Sequence, residues 1–150
     1  MVGALLLETA ATGEVLKLEL ATAAGLLTLH PEDSTLHGNV VRPAGIDHVA
    51  LSWSGEQVLL VVGTPATAAA AARMLDTRIG VGEGHTIAAV SVDVELTVTA
   101  ATYRVLRPAP RRWRFVAADG SGETAVTLDE DGTPVLDAAQ QWPLELEPGP

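Results

Sequence analysis

Three histidines and an asparagine are the side chains best suited to chemistry in this chain. His30, His37 and His48 fall on successive segments of alternating hydropathy, each on the polar side, together with Asn39. Imidazole is the commonest protein ligand for transition metals, so three on one sheet face could form part of a ligand site. Pairing the segments as hairpins makes the three histidines diagonal neighbours, about 7–8 Å apart at Cα, with Asn39 opposite His48. Convergence on one ion would need inward curvature. Lys17 and Glu19 on the adjoining segment suit a solvated face. His30, His37, Asn39 and His48 therefore stand as a ligand-binding expectation, and no metal is assigned to them.

The second grouping is basic. Five of the nine Lys and Arg residues, Arg104, Arg107, Arg111, Arg112 and Arg114, lie within eleven positions, interleaved with Tyr103, Trp113 and Phe115. Arginines among aromatics suit single-stranded nucleic acid only where rings and charges share a surface. A period of two puts the rings on one side and Arg104, Arg112 and Arg114 on the other, which removes that reading. The three arginines remain an anion-site expectation, because guanidinium forks match carboxylate and phosphate. Arg112 is expected opposite Asp129 as an ion pair.

Other motifs fail on order or completeness. Gly80-Val-Gly-Glu-Gly84-His85 follows a helical pattern and precedes a strand, the reverse of a phosphate loop. Gly63-Thr64-Pro65 has the right order but no partner lysine, and reads as a strand-to-helix turn. Asp129-Glu-Asp-Gly132 lacks the later ligands of a calcium loop and suits a hairpin turn. Neither Ser52 nor Ser54 sits in a nucleophile elbow, and the carboxylate pairs Glu32-Asp33 and Asp93/Glu95 belong to turns and wet strand faces.

The elements that position these residues are mostly strands. Turn signals recur every eight to twelve residues, as in sandwiches and barrels. Segments 14–21, 26–30, 35–41 and 46–53 pair as a meander. Its dry side carries Leu16, Leu18, Leu20, Leu27, Leu29, Leu36, Val40, Val49, Leu51 and Trp53. In that register Leu29 faces Leu36, while Gly38 lies between Leu27 and Val49 and leaves a gap where a cavity could form. Gln57–Val62 is apolar on both sides, as in a strand covered on both faces. Thr64 as N-cap, Pro65 at the first turn and the alanine run predict one helix over about 65–78, stopped by Gly80.

Alternation then resumes from Thr86, with Val90, Val92, Val94, Leu96 and Val98 on one side. The parity flips at Ala100-Ala101, which predicts a bulge or bend. Hairpins about 108–110 and 119–122 set Val105 against Trp113 and Phe115 against Val126. A last hairpin at 129–132 brings Val135 near Val126, and Leu144–Glu147 is an edge-strand candidate. The expected fold is mainly β: an antiparallel meander forming a barrel or two packed sheets, with one Ala-rich helix.

Size and composition narrow the function. At 150 residues the chain reads as a single domain spanning 1–150, and 47% hydrophobic content supports a core. With no cysteine there is no disulfide, thiolate metal site or thiol nucleophile. No basic-flanked apolar leader or membrane-length run is present, so a cytoplasmic location is expected. A net charge of −10 disfavours nucleic acid and anionic membrane as partners. From Phe115 onward there are eight acids and no base, which suggests pairing with the arginine segment. The sequence thus points to a binding or assembly domain without enzymatic chemistry or cofactor. Its partner would be a small apolar ligand or a second copy of the chain. The alternative is a small metal-binding protein or enzyme using the histidine face.

Overall fold

The computed structural model describes residues 3–54, 56–62, 64–135 and 144–148. Alternation of Leu with Lys, Glu, Thr and His dictates strands with one dry side, and turn residues set where they reverse. The first sheet is built from β1 (Ala4–Thr9), β2 (Val15–Thr22), β3 (Gly25–Glu32), β4 (Thr35–Arg42) and β5 (Gly45–Ser52). These strands pair antiparallel in chain order, and β11 (Leu144–Pro148) adds to β1 in parallel. The tail segment is therefore an edge strand.

The meander keeps the predicted faces. Leu18 pairs with Leu29 and Leu20 with Leu27, and all four are fully buried together with Leu36. Each such leucine stabilises the fold by about 1.5–3 kcal/mol relative to exposure. Two details differ from the sequence reading. The β3–β4 turn is only Asp33-Ser34, because Asp33 takes a φ of 55° that Asp tolerates. The register therefore moves by two residues, pairing Leu29 with Gly38 and Leu27 with Val40. Gly38 leaves no cavity, since a Cβ there would lie 1.9 Å from the Thr28 carbonyl oxygen and 2.7 Å from Leu29 Cδ2. Leu16 is the second correction. A register shift between Glu8 and Thr9 inserts one extra residue in β2, turning Leu16 outward at 40% exposure and Val15 inward at 7%.

The second sheet has the order β10-β9-β8-β7-β6, with β6 (Val58–Val61), β7 (Gly84–Val92), β8 (Val98–Ala109), β9 (Arg112–Ala117) and β10 (Glu123–Thr127). The two sheets and one short helix together make a half-barrel. Between β6 and β7, which run parallel, the chain crosses over through α1 (Ala66–Leu75). The helix ends three residues earlier than the sequence pattern suggests. The Thr64 hydroxyl accepts from the Ala66 amide at 3.3 Å, and Pro65 already has helical angles.

The expected bulge at Ala100-Ala101 is absent. β7 and β8 pair without interruption, Val90 against Ala100 and Ala89 against Ala101. The parity changes because Asp93–Thr97 is a turn and not a strand. The Asp93 carboxylate accepts from the Glu95 and Thr97 amides, both at 3.0 Å, and Leu96 adopts a φ of 63°. Alternation of Val94, Leu96 and Val98 mimics a strand through a turn. Pairing of β8 with β9 also shifts, to Val105 against Phe115, with an irregularity between Leu106 and Ala109. Downstream, Trp113 faces Val126 and Phe115 faces Thr124.

Two apolar clusters result, and the helix lies between them. Leu59 and Val61 of β6, Val90 and Val92 of β7, and Ala66 and Ala70 of α1 pack with the leucines of the first sheet. On the other side Val58, Leu60, Ala68, Ala69, Ala72 and Leu75 pack with Tyr103, Val105, Trp113 and Phe115. Alanine is what lets a helix be enclosed on nearly every side. The β1–β2 turn shows how close the fit is. Gly13, at a φ of 90°, sits where a Cβ would come within 2.3 Å of the Ala70 carbonyl oxygen.

Candidate functional site

Open space in this fold arises from a mismatch of lengths. A ten-residue helix is about 15 Å long, whereas the twelve residues of β8 extend about 40 Å. The helix therefore covers only part of the concave side of the second sheet. Its C-terminal end is tied down by Arg107, which donates to the carbonyls of Ile79 (2.7 Å) and Asp76 (3.0 Å) and to the Asp76 carboxylate. The same guanidinium lies 4.6 Å from the Trp113 ring centroid. The N-terminal end stops short of the strand ends.

Beyond that end the concave surface continues as Ser91 on β7, Thr99, Ala101 and Tyr103 on β8, and Ala117 on β9. These residues line two adjoining clefts of about 390 and 600 Å³, which share Ser91, Tyr103 and Ser121. Val62, Thr64 and Pro65 close one side, and Glu123, Thr124 and Ala125 of β10 form the rim. Small side chains make the space, and hydroxyls give it polarity. Tyr103 is 7% exposed, and its hydroxyl stands 3.4 Å from Ser91 Oγ.

No lysine, arginine or histidine lines either cleft. The carboxylates at the rim are already engaged. Asp119 accepts from the Ser121 amide at 2.8 Å, and hydrogen bonding by Ser121 holds its carboxyl below the usual aspartate range. Glu123 bonds Arg114 Nε, which likewise holds the Glu123 carboxyl below its ordinary value. The cleft offers hydrogen bonds and apolar contact, with no base positioned on a nucleophile.

The residues singled out by sequence lie elsewhere. His30 and His37 are direct cross-strand partners, not diagonal ones, as a consequence of the shorter turn. Their rings stack with centroids 6.0 Å apart. His48 is opposite Asn39 as expected, with Nδ1 and Oδ1 2.5 Å apart. All four are on the outer face of the first sheet, opposite in direction to Leu18 and Leu29, and none is buried. Among the described residues no group of three or more histidines, cysteines or carboxylates converges on a metal position.

The arginines lie together on one face of the other sheet. Arg104, Arg112 and Arg114 are exposed on the convex side of the second sheet, with Tyr103, Trp113 and Phe115 buried behind them. Arg112 pairs across the sheet with Thr127, not Asp129, because the β9–β10 register is displaced by two residues. The acidic partner in this region is Glu123, on Arg114.

Ser91, Thr99 and Ser121 were not singled out by sequence reasoning, and Tyr103 entered only as a ring on the side opposite the arginines. The available signal was slight: Ser91 and Thr99 interrupt otherwise apolar positions on the side of the sheet that faces the helix.

No protein-family model matches the sequence, and no curated protein matches it. Among solved structures the chain is similar to a DUF1089 family protein from Pseudomonas aeruginosa, with a TM-score of 0.64 over 95% of this chain and 92% of that one. The likeness is one of fold. At 12% identity it transfers no residue role. No helix among the described residues is long and apolar enough to cross a membrane.

Proposed function

We propose that the domain is a non-enzymatic binding module that holds a small, largely apolar molecule in the cleft beyond the helix N-terminus. The observation that carries this reading is the lining. Alanines and Val62 supply apolar contact, Ser91, Tyr103 and Ser121 supply hydrogen bonds, and no cationic side chain is present to hold an anion. A concave, mainly apolar surface with a few convergent polar groups is the usual form of a small-molecule site. The space between the sheets is an unsuitable alternative, because α1 and the leucines already fill it.

The test is binding of a neutral, environment-sensitive dye such as Nile red to the native chain and to Thr99→Trp. Thr99 is exposed at the cleft wall, so a tryptophan there occupies the space without entering the core. Dye binding by the native chain that is lost in Thr99→Trp supports the reading. Equal binding by both proteins, or none by the native chain, removes it.

A second reading, self-association, is favoured by one observation. Leu26, Val41 and Ile46 are successive cross-strand partners and form an exposed apolar row, with Ile46 at 61%, that ends on edge strand β5. It ranks second because Asp47, directed toward the core side of that same edge opposite Val40, is the kind of charge that discourages strand addition. Light scattering across a concentration series distinguishes monomer from dimer.

A further inference from the structure

The outer face of the first sheet carries an arrangement that is independent of the cleft. We propose that His30 and His37 form a two-imidazole chelating site for a divalent transition-metal ion. The two histidines are direct partners across the β3–β4 ladder, and their near-parallel rings, inclined by 29°, have centroids 6.0 Å apart. Each strand is flanked by another on both sides, so the two Cα positions are held by hydrogen-bonded ladders. The backbone of the pair is therefore held in place before any metal arrives.

A metal bonded to both imidazoles at about 2.0–2.1 Å needs their nitrogens brought together, which side-chain rotation can do without backbone movement. Room for that rotation exists, because the strand partner of His37 on β5 is only Ala50. Glu32 lies two residues beyond His30 on the same face, with Oε2 3.6 Å from His30 Nε2. Two imidazoles select copper, nickel or zinc, while magnesium and calcium prefer all-oxygen shells. The remaining coordination positions are left to water or an incoming ligand. His48 is paired instead with Asn39, its own cross-strand partner, through Nδ1.

The experiment is isothermal titration of the untagged full chain with nickel chloride, zinc chloride and magnesium chloride. The expected result is one nickel or zinc ion per chain and no binding of magnesium. Removing either imidazole by His30→Ala or His37→Ala abolishes the chelate and weakens binding by about tenfold or more, whereas His48→Ala leaves it unchanged. All three positions are on a solvated face, and thermal melting of each variant without metal confirms that it folds. Absence of nickel and zinc binding up to about 1 mM, a free energy of only about −4 kcal/mol, overturns the proposal. So does binding that survives both His30→Ala and His37→Ala.

Discussion

Replacing Arg107 by alanine releases the C-terminal end of the helix, and the cost follows from its contacts. The Arg107 side chain is only 12% exposed. It donates to the Ile79, Asp76 and Pro110 carbonyls at 2.7, 3.0 and 2.9 Å. Leaving the part-buried Ile79 carbonyl without its charged donor costs about 1–3 kcal/mol. The ring contact with Trp113 adds about 0.5–2 kcal/mol. The pairing with the Asp76 carboxylate, which is 58% exposed, adds no more than about 1 kcal/mol. These contributions share atoms and do not sum, so the expected loss is about 3 kcal/mol. Urea unfolding should show this as a lower midpoint at unchanged slope, with a melting temperature lower by about 6–12 °C for a domain of this size. Arg107→Lys should recover less than half, since one ammonium cannot reproduce the fork. A loss below about 1 kcal/mol in Arg107→Ala would mean that the carbonyls find other donors at no cost and that Arg107 does not hold the helix end.

Three other outcomes follow from the packing and pairing of the chain. Leu29→Ala should cost about 2–5 kcal/mol as a core truncation, whereas Leu16→Ala, at the bulge and facing solvent, should stay within about 0.5 kcal/mol; equal losses in denaturant titrations would contradict the bulge. Gly38→Ala forces a methyl against the Thr28 carbonyl and Leu29 and should destabilise by about 1–3 kcal/mol, read by thermal unfolding. Glu123 should titrate below the ordinary glutamate value of 4.5 because of Arg114, and carbon-detected NMR of Arg114→Ala should return it there. Since its folded value is lowered, the small stabilisation it provides is complete above that ordinary value and is lost as pH falls through the lowered one.

Most of the first sheet was legible in the sequence because one physical signal, period-two alternation, is repeated in four strands joined by short turns. Parity survives a two-residue error, which is why the faces of Leu27, Leu29, His37 and Asn39 were right while the partners of Gly38 and His37 were not. Turn length was the weak link. Nothing in Pro31-Glu-Asp-Ser34 shows that Asp33 will accept a positive φ and allow β3 to extend by two residues, Pro31 and Glu32. The same limit appears at Asp93–Thr97, where apolar alternation runs through a turn.

The cleft was illegible for a different reason. It depends on where the helix ends relative to strands far away in sequence, and on which way a half-buried Ser91 faces. Composition and spacing carry no record of that length mismatch. The histidines, by contrast, were conspicuous as a residue type, yet their pairing depended on a turn one residue pair tighter than expected.

The most direct test of the cleft as the binding site is an amide NMR titration of the native chain with a neutral apolar probe. Saturable shifts confined to Ser91, Thr99, Tyr103, Ser121 and their neighbours, with the Thr28–His37 region unmoved, are predicted. Shifts centred on Leu26, Val41 and Ile46 instead, or no saturable shift anywhere, would rule the cleft out as the binding site.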